Sequence, residues 1–362
     1  MSVKATCLVG LDVHARQTHA AVLDLGSGEL VVRRLVGAPE EMVVFLDGLP
    51  RPIVAVYEAG PTGFGLVRLG RERGIDVRVI APGSIPKGPG DRVKTDRRDA
   101  IRLVRLLAAG ELRFAFVPSI EDEAFRDLVR CIEDVRGDLM RARHRLSKFL
   151  LRRGHRYTDA QAWSLGHMRW LRALRFGDGC SRAAFADYLA SVELLAGRRT
   201  SLLSALEQQI PDCSHAPVIA RLRCVRGIDT LTAAGVAAEV GTFARFPKPA
   251  LLSGFLGIVP SERTSDLKRR QGSITKAGSG HARRLLVEAA HHYRRQPTIG
   301  ETLARRQAGQ DPRIIEIAWR AQQRLHQRWQ HLRDERHKPA AVVTIAVSRE
   351  LASFLWEAAT LD

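Results

Sequence analysis

The strongest constraint on the fold is a change of hydrophobic period along the chain. In the first hundred residues apolar side chains come in short runs punctuated by turns: CLVGLDV and HAAVLDLG separated by ARQT, then LVVRRLV after the SGE turn. A helix is expected at PEEMVVFLDGL, a strand at PIVAVYEAG, a helix around GFGLVRLGRERG, a strand at DVRVIAPG, and a helix from Thr95 through IRLVRLLAAG. From Phe125 the spacing lengthens. Phe125, Leu128, Ile132, Val135, Leu139, Ala142, Leu146 and Phe149 step by three and four, the seam of a long helix packed on another helix.

The element order of the first part is therefore β-β-β-α-β-α-β-α. A three-strand meander followed by crossover units is the order of the ribonuclease H-like fold. A second seam, Leu189, Val192, Ala196, Arg199, Leu203, Leu206 and Ile210, predicts a partner for the first, as an antiparallel helical hairpin or a dimerising coiled coil. Between them lies a connector rich in Trp, His and Arg, whose Trp163 and Trp170 could stack on bases or pack the hairpin tip. After Pro211, VRGIDTLTAAGVAAEVG is similar to a helix-hairpin-helix, and such a turn can offer backbone N–H groups to a phosphate. A polar, basic loop, SERTSDLKRRQGSITKAGSGHARR, then precedes a helical tail broken at Lys338-Pro339. The expected architecture is α/β plus α. Residues 1–118 would form a ribonuclease H-like unit, 119–210 a coiled-coil region and 211–362 a mainly helical C-terminal unit.

Composition narrows the partner. With 57 Lys+Arg against 39 Asp+Glu the formal charge is +18, which suits a polyanion such as nucleic acid. No run approaches the length of a spanning helix and the start, MSVKATCLVG, has no signal-peptide pattern, so a soluble, cytoplasmic protein is expected. Cys7, Cys131, Cys180, Cys213 and Cys224 are scattered without a C-x-x-C pair. They predict neither zinc site nor disulfide framework, only small buried hydrophobes.

Against this basic background four acids stand out. Asp12 ends the first strand in GLDVH and Glu58 ends the fourth in VYEAG, where a buried strand makes an acid costly unless something pairs with it. Asp96 and Asp99 sit at i and i+3 of KTDRRDA, on one face of a helix start. In the ribonuclease H-like order strands one and four are adjacent and parallel, and the last helix would bring the second pair over the first. Four converging carboxylates select a hard divalent cation, Mg²⁺ or Mn²⁺, and two such ions can clamp both sides of a phosphodiester substitution. Lys94, Arg97 and Arg98 would hold the backbone phosphates beside them.

The motifs GLDVHAR, YEAGPTGFGL, DRVKTDRRDAIRL, RLSKFLLRRG, LGIVPSERTS, GSITKAG and ARRLLVEAA resemble, in their order and spacing, the DEDD transposases of the insertion sequence 110 family, relatives of Piv-type invertases. The resemblance runs from Leu8 to Trp356. It implies that Asp12, Glu58, Asp96 and Asp99 are the metal ligands of a RuvC-like domain and that the coiled-coil segment dimerises. It also implies a C-terminal serine that attacks DNA to form a 5′-phosphoserine link. The corresponding serine is Ser265. It implies donor and target DNA as substrates, a non-coding bridge RNA that pairs with both, dimers joining into tetramers on DNA, and a place of action at the bacterial nucleoid.

Two departures from the family pattern matter. Where members commonly read Ser-Ser-Gly-Gly, this chain has Thr264-Ser265-Asp266-Leu267, and Ser279 stands where Asn is frequent. Asp266 would put an anion beside the scissile phosphate, and a backbone that must approach phosphate closely loses glycine's freedom there. Thr264, Ser273 and Ser279 are the rival nucleophiles. Lys268, Arg269, Arg270, Lys276 and Arg283 are the expected phosphate contacts of this loop and the helix after it. Two other functions use the same residues: a junction nuclease working by water attack, and a decayed copy that still binds RNA and DNA.

Overall fold

A computed structural model describes residues 5–81, 83, 85, 95–265 and 268–361; at 263–265 and 268–270 it describes the main chain. The chain divides into two compact units, Met1–Val117 and Pro118–Asp362.

The first unit is a five-stranded mixed sheet with helices, a ribonuclease H-like arrangement. Its elements in chain order are β1 (Cys7–Val13), β2 (Gln17–Asp24), β3 (Leu30–Val36), α1 (Pro39–Asp47), β4 (Ile53–Glu58), α2 (Gly65–Glu72), β5 (Asp76–Ile80) and α3 (Asp96–Ala108). The sheet order is β3-β2-β1-β4-β5. The meander pairs are antiparallel, whereas β4 lies parallel to both β1 and β5. Odd-numbered residues of β1, β4 and β5, among them Val9, Leu11, Ala55, Tyr57, Val77 and Val79, pack with Met42, Leu46, Leu66 and Val67 of α1 and α2. On the opposite face Leu8 and Val54 meet Ala100 and Val104 of α3, and Val56 meets Leu103. This burial on both faces is why the central strands read as continuous apolar runs.

The second unit is mainly helical. Its elements are α4 (Ile120–Leu151), α5 (Leu165–Ala173), α6 (Gly179–Gln209), α7 (Ala216–Leu222), α8 (Thr230–Val240), α9 (Pro249–Phe255), β6 (Pro260–Ser265), β7 (Lys268–Ile274), α10 (Gly280–Ala290), α11 (Glu301–Gln307), α12 (Pro312–Gln330) and α13 (Ala340–Ala359). The long helices α4 and α6 pack on each other, so the two seams meet within one chain. Val129 rather than Leu128 is the buried residue, because 3.6 residues per turn drift away from a strict heptad. The far half of α4 (Leu139, Ala142, Leu146, Phe149) shares a core with Leu171, Phe185 and Val192, and the near half (Phe125, Val129, Ile132) joins the core of α7–α13. Trp163 and Trp170 are packing residues of the hairpin tip: His167 stacks on Trp170 at 5.6 Å between ring centres and Trp163 meets it edge-on at 5.0 Å.

Two expectations change. The basic loop after Pro260 is a β-hairpin, with Ser265 opposite Lys268 at its end. Apart from Pro260 and Ile274 at one end its strands are polar and carry no apolar run, so hydrophobic periodicity could not announce them. Of the five cysteines, all free, only Cys7 and Cys224 are buried; Cys131 and Cys180 are exposed on α4 and α6. No described helix is long and apolar enough to cross a membrane.

Candidate metal centre and nucleic-acid interface

The acidic site is built on a close approach of helix to strand. Gly10 of β1 faces α3, and a Cβ placed there would stand 2.3 Å from the Ala100 carbonyl oxygen and 2.6 Å from the Val104 nitrogen. Only glycine lets the helix backbone lie so near. Two residues on, Asp12 points to the same side of the sheet. Thr95 caps α3, accepting a hydrogen bond from the Arg98 amide at 3.4 Å, and so fixes Asp96 and Asp99 in the first turn.

Asp12 and Asp96 are thereby brought together, with a third residue between them. His14 Nε2 lies 3.3 Å from Asp12 Oδ2 and 3.7 Å from Asp96 Oδ1, and one ligand atom from each of the three falls within 4.8 Å of the others. Gln17 Nε2 donates to Asp96 Oδ2 at 3.3 Å and is itself held by Arg34 Nε at 2.9 Å. His19, opposite Asp12 in the ladder, approaches Asp96 from the other side at 3.7 Å. Burial pushes the Asp12 carboxyl above the usual range; the Asp96 and Asp99 carboxylates push the same way, against the pull of His14. Among the described residues no Lys or Arg pairs with Asp12 or Asp96, only His14 and His19, and such a donor set fits a divalent ion.

Glu58 ends β4 and is exposed. The parallel register pairs Leu11 with Tyr57, so the next step puts Glu58 beside Asp12 on the face that α3 covers. Neither Glu58 nor Asp99 belongs to the 4.8 Å group. Sequence reasoning missed His14, although the signal was present: in an extended chain the residue two beyond Asp12 returns to its side. Arg97 and Arg98 are exposed on α3; Lys94 lies outside the described residues.

In the second unit Ser265 ends β6, its side chain outside the described residues, as are those of Thr264, Lys268, Arg269 and Arg270 and the whole of Asp266 and Leu267. Lys276 is exposed in a left-handed conformation (φ 56°). Gly278, at φ 63°, passes so close to Phe255 that a Cβ would lie 1.9 Å from its carbonyl oxygen. Arg283 donates through Nη1 to the Leu256 and Ala277 carbonyls at 2.9 and 2.8 Å and so braces that loop. Ser279 caps α10, accepting from the Ala282 amide at 3.2 Å, and also hydrogen-bonds Glu239.

Glu239 anchors a second ionic cluster. Its carboxylate takes a forked pair from Arg130 at 2.8 and 2.9 Å and lies 3.6 Å from His281. Burial pushes its carboxyl up, but the nearby His281, the forked Arg130 hydrogen bonds and the Arg130 charge outweigh that and hold it down to about 2. Glu133, between Arg136 and Arg284, repeats the pattern beside it.

A 3-2-1-4-5 sheet with acids closing its two central parallel strands is the frame of ribonuclease H-like phosphoryl-transfer enzymes. A DEDD transposase model of the IS110 type matches residues 9–153, and the transposase model of the IS116/IS110/IS902 family matches 219–303. The chain is 41% identical over 356 residues to "Putative transposase y4qE" of Sinorhizobium fredii, covering 96% of this chain and 87% of that one. It is 30% identical over 347 residues to the transposase for insertion sequence element IS1533 of Leptospira borgpetersenii, covering 93% and 99%. The chain belongs to the IS110 family of transposases. It is a DEDD transposase, a phosphoryl-transfer enzyme whose domain type implies a divalent metal.

Proposed function

We propose that this transposase cuts and exchanges DNA strands through a metal-dependent site formed by Asp12, Glu58, Asp96 and Asp99, with Ser265 as nucleophile and a bridge RNA selecting donor and target. The observation that supports the reading best is the Gly10 contact, which sets Asp96 against Asp12 at the end of two adjacent strands. Two Mg²⁺ or Mn²⁺ ions held there would offset the charge that develops on phosphoryl oxygens. Asp12 and Asp96 hold the centre, His14 lies between them, and Gln17 with Arg34 fixes the Asp96 carboxylate.

In the serine step the Ser265 hydroxyl oxygen bonds to phosphorus as the bond to the 3′ oxygen breaks. The serine proton leaves to solvent and the 3′ oxygen departs as a hydroxyl. The 5′-phosphoserine link keeps the phosphodiester energy, so a new 3′-hydroxyl can reverse the step and seal the exchanged strands. Arg97, Arg98, Lys268, Arg269, Arg270 and Lys276 hold phosphates along the path. The chain works as three regions, 1–118, 119–210 and 211–362, and as dimers that pair into tetramers on DNA at the nucleoid. Since the α4–α6 seam is filled within the chain, pairing uses its outer faces, where Leu194 stands exposed.

With donor and target DNA, Mg²⁺ and the structured RNA encoded beside the gene, wild type should give a denaturant-resistant adduct at the Ser265 peptide. Ser265→Ala should bind the same nucleic acids and give none. An undiminished adduct in that variant would remove Ser265 from the role. Cleavage with no adduct would point to water attack, as in a junction nuclease. Asp266-Leu267 in place of Gly-Gly favours a second reading, a binding-competent copy that has lost cleavage, for which restoring Gly-Gly should restore the adduct.

A further inference from the structure

A cavity of about 520 Å³ lies in the second unit, between the α7–α8 turn, the turn after α10 and the start of α11. Arg226, Arg295 and Arg306 line it with His292, and a neighbouring hollow adds His291 and Arg294. None of these arginines has a carboxylate within 4.0 Å among the described residues, whereas Arg130, Arg284 and Arg324 of the same unit do. The cradle is rigid. Arg226 Nη1 donates to the Gln296 carbonyl at 2.7 Å and to Gln322 Oε1 at 3.4 Å; fully buried Gln322 also accepts from the Thr298 amide at 3.1 Å. Fully buried Tyr293 donates to the Arg226 carbonyl at 2.7 Å, and Arg306 reaches the Ile228 carbonyl while its Nε is buried without a hydrogen-bond partner.

Two acids border the cavity, and each is engaged. Asp229 caps α8 by accepting from the Thr232 amide at 2.8 Å, and Glu301 lies 3.7 Å from Arg305 on its own helix. Their effect is outweighed: the imidazolium of His292 is disfavoured first by burial and then by Arg226 and Arg295, against the smaller pull of Asp229. Burial likewise disfavours the Arg226 and Arg306 cations. Asp229 offsets part of the charge on Arg306 and His292, but three arginines and a histidine around an open hollow still outnumber the two acids, an excess of positive charge that suits an anion.

We propose that this cavity seats a backbone phosphate of bound nucleic acid, making the α7–α8 turn and the 291–295 segment a second contact surface separate from the acidic centre and the serine hairpin. The inference rests on the proposed function only in taking nucleic acid as the partner. Exposed Arg294 and Arg295 can be changed without touching the buried frame.

The test is the salt dependence of binding by the full chain to a short duplex DNA and to a single-stranded RNA. Arg294→Ala/Arg295→Ala should flatten the slope of log affinity against log salt by about 0.9 per lost contact on duplex and about 0.7 on single strand. Arg294→Lys/Arg295→Lys should keep it. A fall on one probe alone assigns the phosphate to that nucleic acid. Unchanged slopes on both probes, or flattening by the lysine pair as well, would overturn the site. Because the proposed function is read by adduct formation, the two fail separately. Unchanged slopes with a normal adduct remove only the cavity, and altered slopes in a protein that forms no adduct remove only the strand-exchange reading.

Discussion

Asp12 in the first unit and Glu239 in the second are both acids withdrawn from water beside a histidine and a helix N-terminus, yet their surroundings treat the charge oppositely. Asp12, with its side chain 18% exposed, faces two more carboxylates and a histidine, and its carboxyl is pushed up. Glu239, 4% exposed, receives a forked arginine, a serine and a histidine, and its carboxyl is held near 2. The second cluster is complete within the protein. The first is short of positive charge, and a divalent ion on a DNA phosphate would supply it. Residue type alone separates structural from functional acids poorly; the sign of the charge that surrounds them does so far better.

The largest expected effect breaks the comparison on the first side. Asp12→Ala or Asp96→Ala should lower strand cleavage by roughly three orders of magnitude or more, about 4 kcal/mol in the barrier. RNA binding should persist, since no phosphate contact is lost. Cleavage near the wild-type rate in both variants would show that the incomplete cluster is not the reaction centre.

Next in size is the second cluster. Glu239→Gln leaves Arg130 without its counter-ion and should cost about 3 kcal/mol in unfolding free energy, the lower end for a broken buried pair because Arg130 is half exposed. The pH sign follows from the lowered carboxyl. Between its ordinary 4.5 and about 2 the unfolded chain binds more protons at this group, so its contribution is whole above that window and is lost as pH falls through it. Denaturation curves should show wild type and Glu239→Gln converging toward pH 2. Parallel curves would mean that the carboxylate is not the anchor.

Gly10→Ala tests how the first cluster is assembled. The added methyl meets α3 main chain rather than a flexible side chain, so the helix must move, at a cost of about 1–3 kcal/mol. Cleavage should fall by more than the loss of folded protein explains, because Asp96 travels with α3. Full cleavage in a destabilised variant would separate helix position from the site.

Much of this was readable in the residues. Short apolar runs gave the strand order, and with it the convergence of β1, β4 and α3, because sheets buried on both faces write themselves as unbroken hydrophobic runs. The seams of α4 and α6 were readable from a different signal, apolar residues stepping by three and four. What escaped was whatever depends on partners distant in sequence or on polar strands. Arg130 and Glu239 are 109 residues apart, and no local pattern joins them. The hairpin of β6 and β7 is held by its backbone ladder, which leaves no trace in hydrophobicity. The carbonyl partners of Arg283 were invisible for the same reason: charge shows in sequence and its backbone partners do not.

The smallest effect is the sharpest, because its sign rather than its size carries the comparison. Asp96→Asn keeps the shape of the side chain and an oxygen that can still accept from Gln17, while removing one negative charge from the neighbourhood of Asp12. In metal-free protein at pH 8, above the ordinary histidine range, it should stabilise the fold. Asp96 is 39% exposed, so solvent screening limits the gain to about 0.5 kcal/mol. The same acid-to-amide change at Glu239 destabilises. Adding Mn²⁺ should raise the melting temperature of wild type and move that of Asp96→Asn less, since the ion compensates a charge the variant no longer has. If Asp96→Asn is destabilising in the absence of metal, the first cluster is satisfied by its histidines, and the contrast between the two clusters disappears.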